Sequence, residues 1–293
     1  MLQLGTDGTH DYTQEADIAT QRGYDTTAYR YPRERLILVL TLLLVFLVIA
    51  LTATATVCLS AIFVVGAVAL SYSINRAHHR TLLAQAQRIN PRDTPRLARL
   101  VAESAARLQA RSVQAFVVPD DTLNAYTFGL SSPKVLVLHS ALLHVMDEDD
   151  LRFIVGHELG HIRLGHTWLN SLIGGLAGTP SPFLASTLLA MAFLWWNRAC
   201  EYSADRAGLL ACGKPNKAIA TLVKLAGGAE ARTRAELAQV LQHIEAEDDH
   251  VLSNLSETLT THPMTIRRIE ALRRYAASNE YRHLQALVDR NVT

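Results

Sequence analysis

The sequence predicts a mainly α fold with a small β-sheet, preceded by an N-terminal transmembrane helical hairpin. Three observations carry that prediction. Two blocks of the 293 residues, Leu36–Asn75 and Leu164–Asn197, contain no Asp, Glu, Lys or Arg. Apolar residues recur at helical spacing through most of the chain after residue 76. Only a few short runs between 113 and 138 read as extended chain. The mean hydropathy of +0.11 therefore averages unlike parts. Outside the two blocks 55 charges fall on 219 residues, about 25%, which is ordinary for a soluble domain. The near balance of 28 basic and 27 acidic residues excludes nucleic-acid binding driven by bulk electrostatics.

Residues 1–31 are polar and read as a mobile tail. Their acids Asp7, Asp11, Glu15 and Asp17 fit neither a secretory signal nor a transit peptide. The hairpin follows over 32–75. One 40-residue helix would be about 60 Å long, twice the ~30 Å hydrocarbon core. Two spans, 36–52 and 56–73, fit better, with a turn near Ala53. Arg30, Arg33 and Arg35 precede the hairpin and Arg76 and Arg80 follow it, which places both flanks in the cytoplasm. Cys58, Cys200 and Cys212 form no CxxC pair and read as buried, reduced thiols.

The third unit is the domain 76–293. Thr94-Pro95 reads as an N-cap with proline at the first helical position, opening a helix to about residue 110. Val113–Val118 and Val135–Leu138 read as strands around an extended Asn124–Phe128. Asp147, followed by Glu148, Asp149 and Asp150, reads as a capped helix start. Helices are predicted near 201–212, 215–226, 232–246 and 264–290. The second apolar block, 164–197, is an insertion broken by Gly174, Gly175, Gly178, Pro180 and Pro182. Its arms, about 167–177 and 183–197, are short of full spans unless the helices on either side continue into them. A buried hairpin and a hairpin dipping into the membrane surface with Trp195 and Trp196 at the headgroups are equally compatible with it.

The chemistry concentrates in Phe153–Ile162, which holds His157-Glu158-Leu159-Gly160-His161. Residues four apart on a helix differ by about 40°, so His157 and His161 project together and can share one metal. Glu158 stands beside them as a candidate base. Two imidazoles and a carboxylate on an otherwise apolar helix are costly without a partner, and a zinc ion supplies one. A third His in the longer HExxHxxGxxH pattern is excluded, because positions 164 and 167 are Leu and Thr. His166, about 140° from His161 on a continuing helix, is set aside as a non-ligand. Glu201 and Asp205 share a face on a later helix. Glu201 can be the third ligand, with Asp205 accepting from an imidazole N–H.

HELGH at 157–161, EYSADRAG at 201–208 and THPMTIRRI at 261–269 together resemble the HtpX-like membrane zinc metallopeptidases. That family also holds the integral-membrane CAAX prenyl endopeptidases. The resemblance covers roughly residues 76–275 and implies a gluzincin-type domain with one zinc per chain. By position it implies His157, His161 and Glu201 as ligands, Glu158 as base and Asp205 as the residue orienting a ligand. Asn124, Ala125 and Tyr126 resemble the family's Asn-Ala-Phe substrate edge, with Tyr in place of Phe. His262 and Arg268 match its His-Pro…Arg-Ile element, which implies a catalytic role for His262 near the metal.

The expected function is membrane-anchored, zinc-dependent hydrolysis of polypeptides, with misfolded or damaged membrane proteins as substrates and the bilayer as a further partner. The expected location is the cell (inner) membrane, multi-pass, with the peptidase domain facing the cytoplasm. A catalytically silent scaffold with a structural zinc is the rival of different class. A prenyl-protein processing endopeptidase ranks lower, because four candidate spans at most are too few for its large chamber.

Overall fold

In the computed structural model of the chain, the described residues are 26–55, 83–110, 113–129, 132–168, 184–228 and 263–292, with scattered helical positions between 65 and 81. The predicted helix at 232–246, the turn of the second apolar block and His262 lie outside them. Eight helices are described: α1 (Glu34–Ala55), α2 (Pro95–Leu108), α3 (Ser140–Val145), α4 (Glu148–Leu164), α5 (Leu184–Cys212), α6 (Pro215–Gly228), α7 (Pro263–Ala276) and α8 (Asn279–Val292). Four strands, β1 (Gln87–Arg88), β2 (Val113–Val118), β3 (Ala125–Phe128) and β4 (Lys134–His139), form one mixed sheet in the order β1-β2-β4-β3. β2 and β4 run parallel, while β3 is antiparallel to β4, pairing Ala125 with Leu138 and Phe128 with Val135. β3 thus ends the sheet. The mainly helical class with a small sheet is as the sequence predicts.

The core lies where one face of the sheet and α2 meet α4, α5 and α6. Leu136, Leu138, Leu142, Phe153, Leu159, Leu209 and Leu210 are almost completely buried there. α4 starts as expected: the Asp147 side chain accepts from the backbone N–H groups of Asp149 and Asp150, and Asp150 reaches back to the Asp147 N–H. That capping box satisfies donors the helix itself leaves open. Asp150 is itself fully buried and is held by Thr221 and Lys224 of α6.

Several local expectations differ from the structure. Thr94 does not cap α2; its hydroxyl bonds to the backbone of Asn90, and Pro95 alone marks the helix start. The arm expected at 183–197 and the helix at 201–212 are one continuous 29-residue helix, α5. The helix expected over 264–290 breaks after Ala276. There Ser278 donates to the Tyr275 carbonyl and accepts from the Tyr281 N–H, capping α8 while closing α7. The end of the expected tail belongs to the fold: Thr26–Tyr29 forms a 3-10 turn, and Tyr29 is fully buried in the main core. Arg206 from α5 lies over the rings of Tyr31 and Tyr275 and fastens that segment.

Among the described residues no helix is long and apolar enough to cross a membrane. The transmembrane hairpin expected over 32–75 is therefore not found as such; most of its second span lies outside the described residues, and side chains along α1 are described only as far as Leu51. Of α1, only a narrow stripe is covered. Glu34, Ile37 and Thr41 are buried, and Ile37 packs against Trp196, Ala199 and Cys200 of α5. Leu36, Val39, Leu40, Leu42, Leu43, Phe46, Leu47 and Leu51 are exposed. In the second block Trp195 is exposed, and Trp196 is buried against Ile37 of α1.

Candidate metal centre

The site is built by two helices that approach unusually closely. Gly156 and Gly160 of α4 face Ala204, Ala207, Gly208 and Ala211 of α5. A Cβ at Gly156 would lie 2.4 Å from the Ala211 Cβ, and one at Gly160 would lie 2.5 Å from the Ala207 Cβ. Conversely, a Cβ at Gly208 would meet the Phe153 carbonyl oxygen at 2.7 Å. No side chain larger than hydrogen fits these positions without separating the helices. His157 and His161 each follow one of the α4 glycines, so the close contact sets both rings beside α5. Glu201 stands on α5 about one turn before that stretch, and Asp205 lies within it.

The side chains converge as the motif predicts. The His157 and His161 Nε2 atoms are 3.3 Å apart, and each lies 3.5 Å from an oxygen of Glu201. A tetrahedral zinc with ligands at 2.0–2.1 Å has ligand–ligand edges of about 3.3–3.4 Å. These separations are close to those edges, with Glu201 turning one oxygen, Oε2, to His157 and the other, Oε1, to His161. Each of the three residues offers one ligand atom within 4.8 Å of the other two. Glu158 lies on the same cleft and is buried apart from its cleft-facing side.

Behind the ligands, His157 Nδ1 is 3.0 Å from the Asp205 carboxylate, so the ring is oriented with its Nε2 forward. Arg268 of α7 donates to both Asp205 oxygens, at 2.8 and 2.6 Å, and lies 3.0 Å from Glu201. Burial alone would raise both acids. The Arg268 guanidinium and the neighbouring imidazoles outweigh it, holding Glu201 well below the usual carboxylate range and Asp205 below its ordinary value. Both acids are thus ready as anions, and Arg268 is a structural part of the site rather than a surface charge.

The segment expected to bind substrate is adjacent. Asn124, Ala125 and Tyr126 form one wall of a cleft of about 380 Å³ whose floor is His157, Glu158, His161 and Glu201. Ala125 and Tyr126 belong to β3, and the Asn124 carbonyl accepts from the His139 N–H just before it. The structure therefore brings together every expected site residue except His262, which lies outside the described residues.

Sequence reasoning missed a second arrangement. Gly165 ends α4 with φ +84, a left-handed turn that suits glycine. The chain reverses there, so His166 does not continue the helical rotation and comes back under His161. The two Nδ1 atoms are 3.0 Å apart. His166 Nε2 is in turn 3.0 Å from Glu34 at the start of α1. Glu34 also accepts from Ser203 and pairs with Arg30. Burial pushes His166 down to about 4, leaving it neutral near pH 7. The only advance signal was a lone acid, Glu34, between two arginines at the edge of an apolar block.

The sequence profile described as Peptidase family M48 matches residues 91–276. The chain is 28% identical over 209 residues to "Plastoglobule-localized metallopeptidase 48, chloroplastic" from Arabidopsis thaliana, covering 66% of this chain and 60% of that protein. It is 24% identical over 222 residues to "Protease HtpX homolog" from Pyrococcus abyssi, covering 64% of this chain and 76% of that protein. A "Protease HtpX homolog" from Thermococcus kodakarensis is 23% identical over 220 residues. The match thus spans about three fifths of the chloroplast relative and about three quarters of the archaeal ones. The family profile takes in α2, strands β2 to β4, both metal-site helices and the Arg268 helix, and on that ground the chain belongs to peptidase family M48, as an HtpX-like metallopeptidase.

Proposed function

We propose that the chain is a zinc-dependent endopeptidase, anchored in the cell membrane through its N-terminal apolar segment, that hydrolyses misfolded or damaged membrane proteins on the cytoplasmic side. The observation that carries the catalytic part is the His157–His161–Glu201 triangle with Glu158 beside it, in a cleft walled by an edge strand. Zinc held there supplies Lewis acidity, polarising the scissile carbonyl and lowering the pKa of a water towards 7.

The remaining work falls to the chain. Glu158 takes the water proton as the oxygen adds to the carbonyl carbon. When the C–N bond breaks, the same carboxyl delivers that proton to the leaving amine. Asp205 accepts from His157 Nδ1–H and fixes the tautomer that presents Nε2. Arg268 balances Glu201 and Asp205, so neither is drawn away by a proton. A substrate segment lies extended along β3, reading backbone more than side chains, so broad specificity is expected.

The exposed apolar side chains of α1 support the anchoring. Eight large ones on one helix exceed what a surface in water normally carries. The arginines that flank the apolar block favour a cytoplasmic domain.

Glu158→Gln tests the mechanism: cleavage of a denatured protein substrate should fall by about 10²-fold or more while the zinc content stays at one per chain. Unchanged cleavage would sink the role of Glu158. The same variant, used as a trap in the membrane fraction, identifies substrates; retention of soluble proteins alone would overturn the membrane-protein assignment. Single cysteines at positions 10 and 285 test the topology. Labelling of either from outside the cell would overturn the orientation.

A further inference from the structure

The second ligand imidazole has its own support, of a different kind. If His161 faces the metal through Nε2, its only proton is on Nδ1, and the atom 3.0 Å from that nitrogen is His166 Nδ1. That nitrogen must then carry a lone pair, which puts the single proton of neutral His166 on Nε2, 3.0 Å from the Glu34 carboxylate. One tautomer of each ring satisfies the whole chain, with every donor meeting an acceptor. His166 and Glu34 are each only 2% exposed, and the edge of the His166 ring abuts Trp196, so water does not substitute for either.

Glu34, His166 and Cys200 also lie close enough to hold an ion of their own, with ligand atoms within 4.8 Å. The bonding disfavours that use. Both His166 nitrogens already face partners, and Glu34 is engaged by Arg30 and Ser203. A guanidinium beside the carboxylate repels a cation.

We propose that His166 and Glu34 are positioning residues for the metal ligand His161, so that the root of α1 is part of the metal centre. The proposal rests on the metallopeptidase reading. It makes the seating of the N-terminal apolar helix and the strength of metal holding two aspects of one structure.

The test uses the full-length chain, with zinc affinity measured by competition against a chromophoric chelator. The visible spectrum of the cobalt(II)-substituted protein reports ligand geometry, and circular dichroism reports the fold. His166→Leu should weaken zinc binding about 10–100-fold and change the cobalt spectrum with helicity kept. His166→Gln, whose amide oxygen can accept from His161 Nδ1–H, should recover affinity to within about fivefold. Should His166→Leu fail to fold, Glu34→Gln carries the test, with a loss of about tenfold expected. Trp196→Leu loosens the same packing without removing the acceptor and should stay within about twofold.

Unchanged zinc affinity and cobalt spectrum in His166→Leu, or in Glu34→Gln where that variant carries the test, overturn the proposal while leaving the metal site standing. An equal loss in Trp196→Leu reduces the effect to packing and also overturns it. A second zinc that disappears in Cys200→Ser shows the cluster to be a metal site instead. If the wild-type chain binds no zinc, or binds it equally after His157→Ala, the metallopeptidase reading itself fails.

Discussion

The two ligand imidazoles of the site are neighbours on one helix, yet they are held by different parts of the molecule. His157 is braced by Asp205 and, through it, by Arg268, all within the folded peptidase core. His161 backs onto His166 and then Glu34, the first residue of an apolar helix whose outer face is exposed. The first brace is one carboxylate, neutralised by a guanidinium. The second is an imidazole carrying the contact on to a carboxylate on the far side of its ring. Direct bracing ties a ligand to the core alone. Indirect bracing, as proposed above, would let a segment outside the catalytic core share in holding the metal.

Removing the direct brace should have the largest effect. Asp205→Ala removes the carboxylate that accepts two hydrogen bonds from Arg268 and leaves Glu201 as its remaining acid, so stability should fall by up to about 3 kcal/mol in urea unfolding. Zinc affinity should drop about 10–100-fold. If the loss is no greater than for Glu34→Gln, the two sides are equivalent and the contrast disappears. Gly160→Val should come next and strike both rings together, since its Cβ would press α4 away from Ala207. About 1–3 kcal/mol of stability should go with it, accompanied by loss of cleavage even at saturating zinc. Cleavage retained at wild-type level would mean that the helix contact does not set the ligand geometry.

Asp147→Ala, far from both braces, should have the smallest effect and sharpen the contrast by leaving zinc affinity unchanged. Its capping contacts contribute about 1 kcal/mol. Although burial would raise it, the Lys217 ammonium and the Asp150 N–H lower the Asp147 carboxyl to about 2. A folded-state pKa below the unfolded one means that its contribution is complete above about pH 4 and is lost as pH falls towards 2. The difference in stability between wild type and Asp147→Ala should therefore shrink over that window. A difference that persists unchanged at pH 2 would assign the effect to packing.

Much of this centre was legible in advance because its ligands lie at helical spacing within single elements. His157 and His161, and Glu201 and Asp205, are each one turn apart, and periodicity alone places each pair on a shared face. The strands Val113–Val118 and Lys134–His139 were legible for a similar reason, as β-branched runs between turn residues. What escaped depended on contacts between elements. The Gly156–Gly160 seam meets its small partners on α5 only in three dimensions. Glu34 looked like part of a basic flank, since no spacing rule links position 34 to 166 or 203. The contact of His166 with His161 escaped because helical rotation does not continue past Gly165, where the backbone turns left-handed. The break at Ser278 escaped because one serine hydroxyl closes one helix and opens the next without any Gly or Pro to mark it.

The position of β3 at the end of the sheet carries a consequence for the timing of proteolysis. A segment that docks beside Ala125–Phe128 must bring free backbone N–H and C=O groups, which a helix in a well-folded protein has already committed to itself. Such a segment must first open, and the cost of opening ranges from near zero in fraying regions to the full stability of the substrate. Cleavage then follows the fraction of time a segment spends unfolded, so the enzyme would measure the local stability of its targets rather than read their sequence.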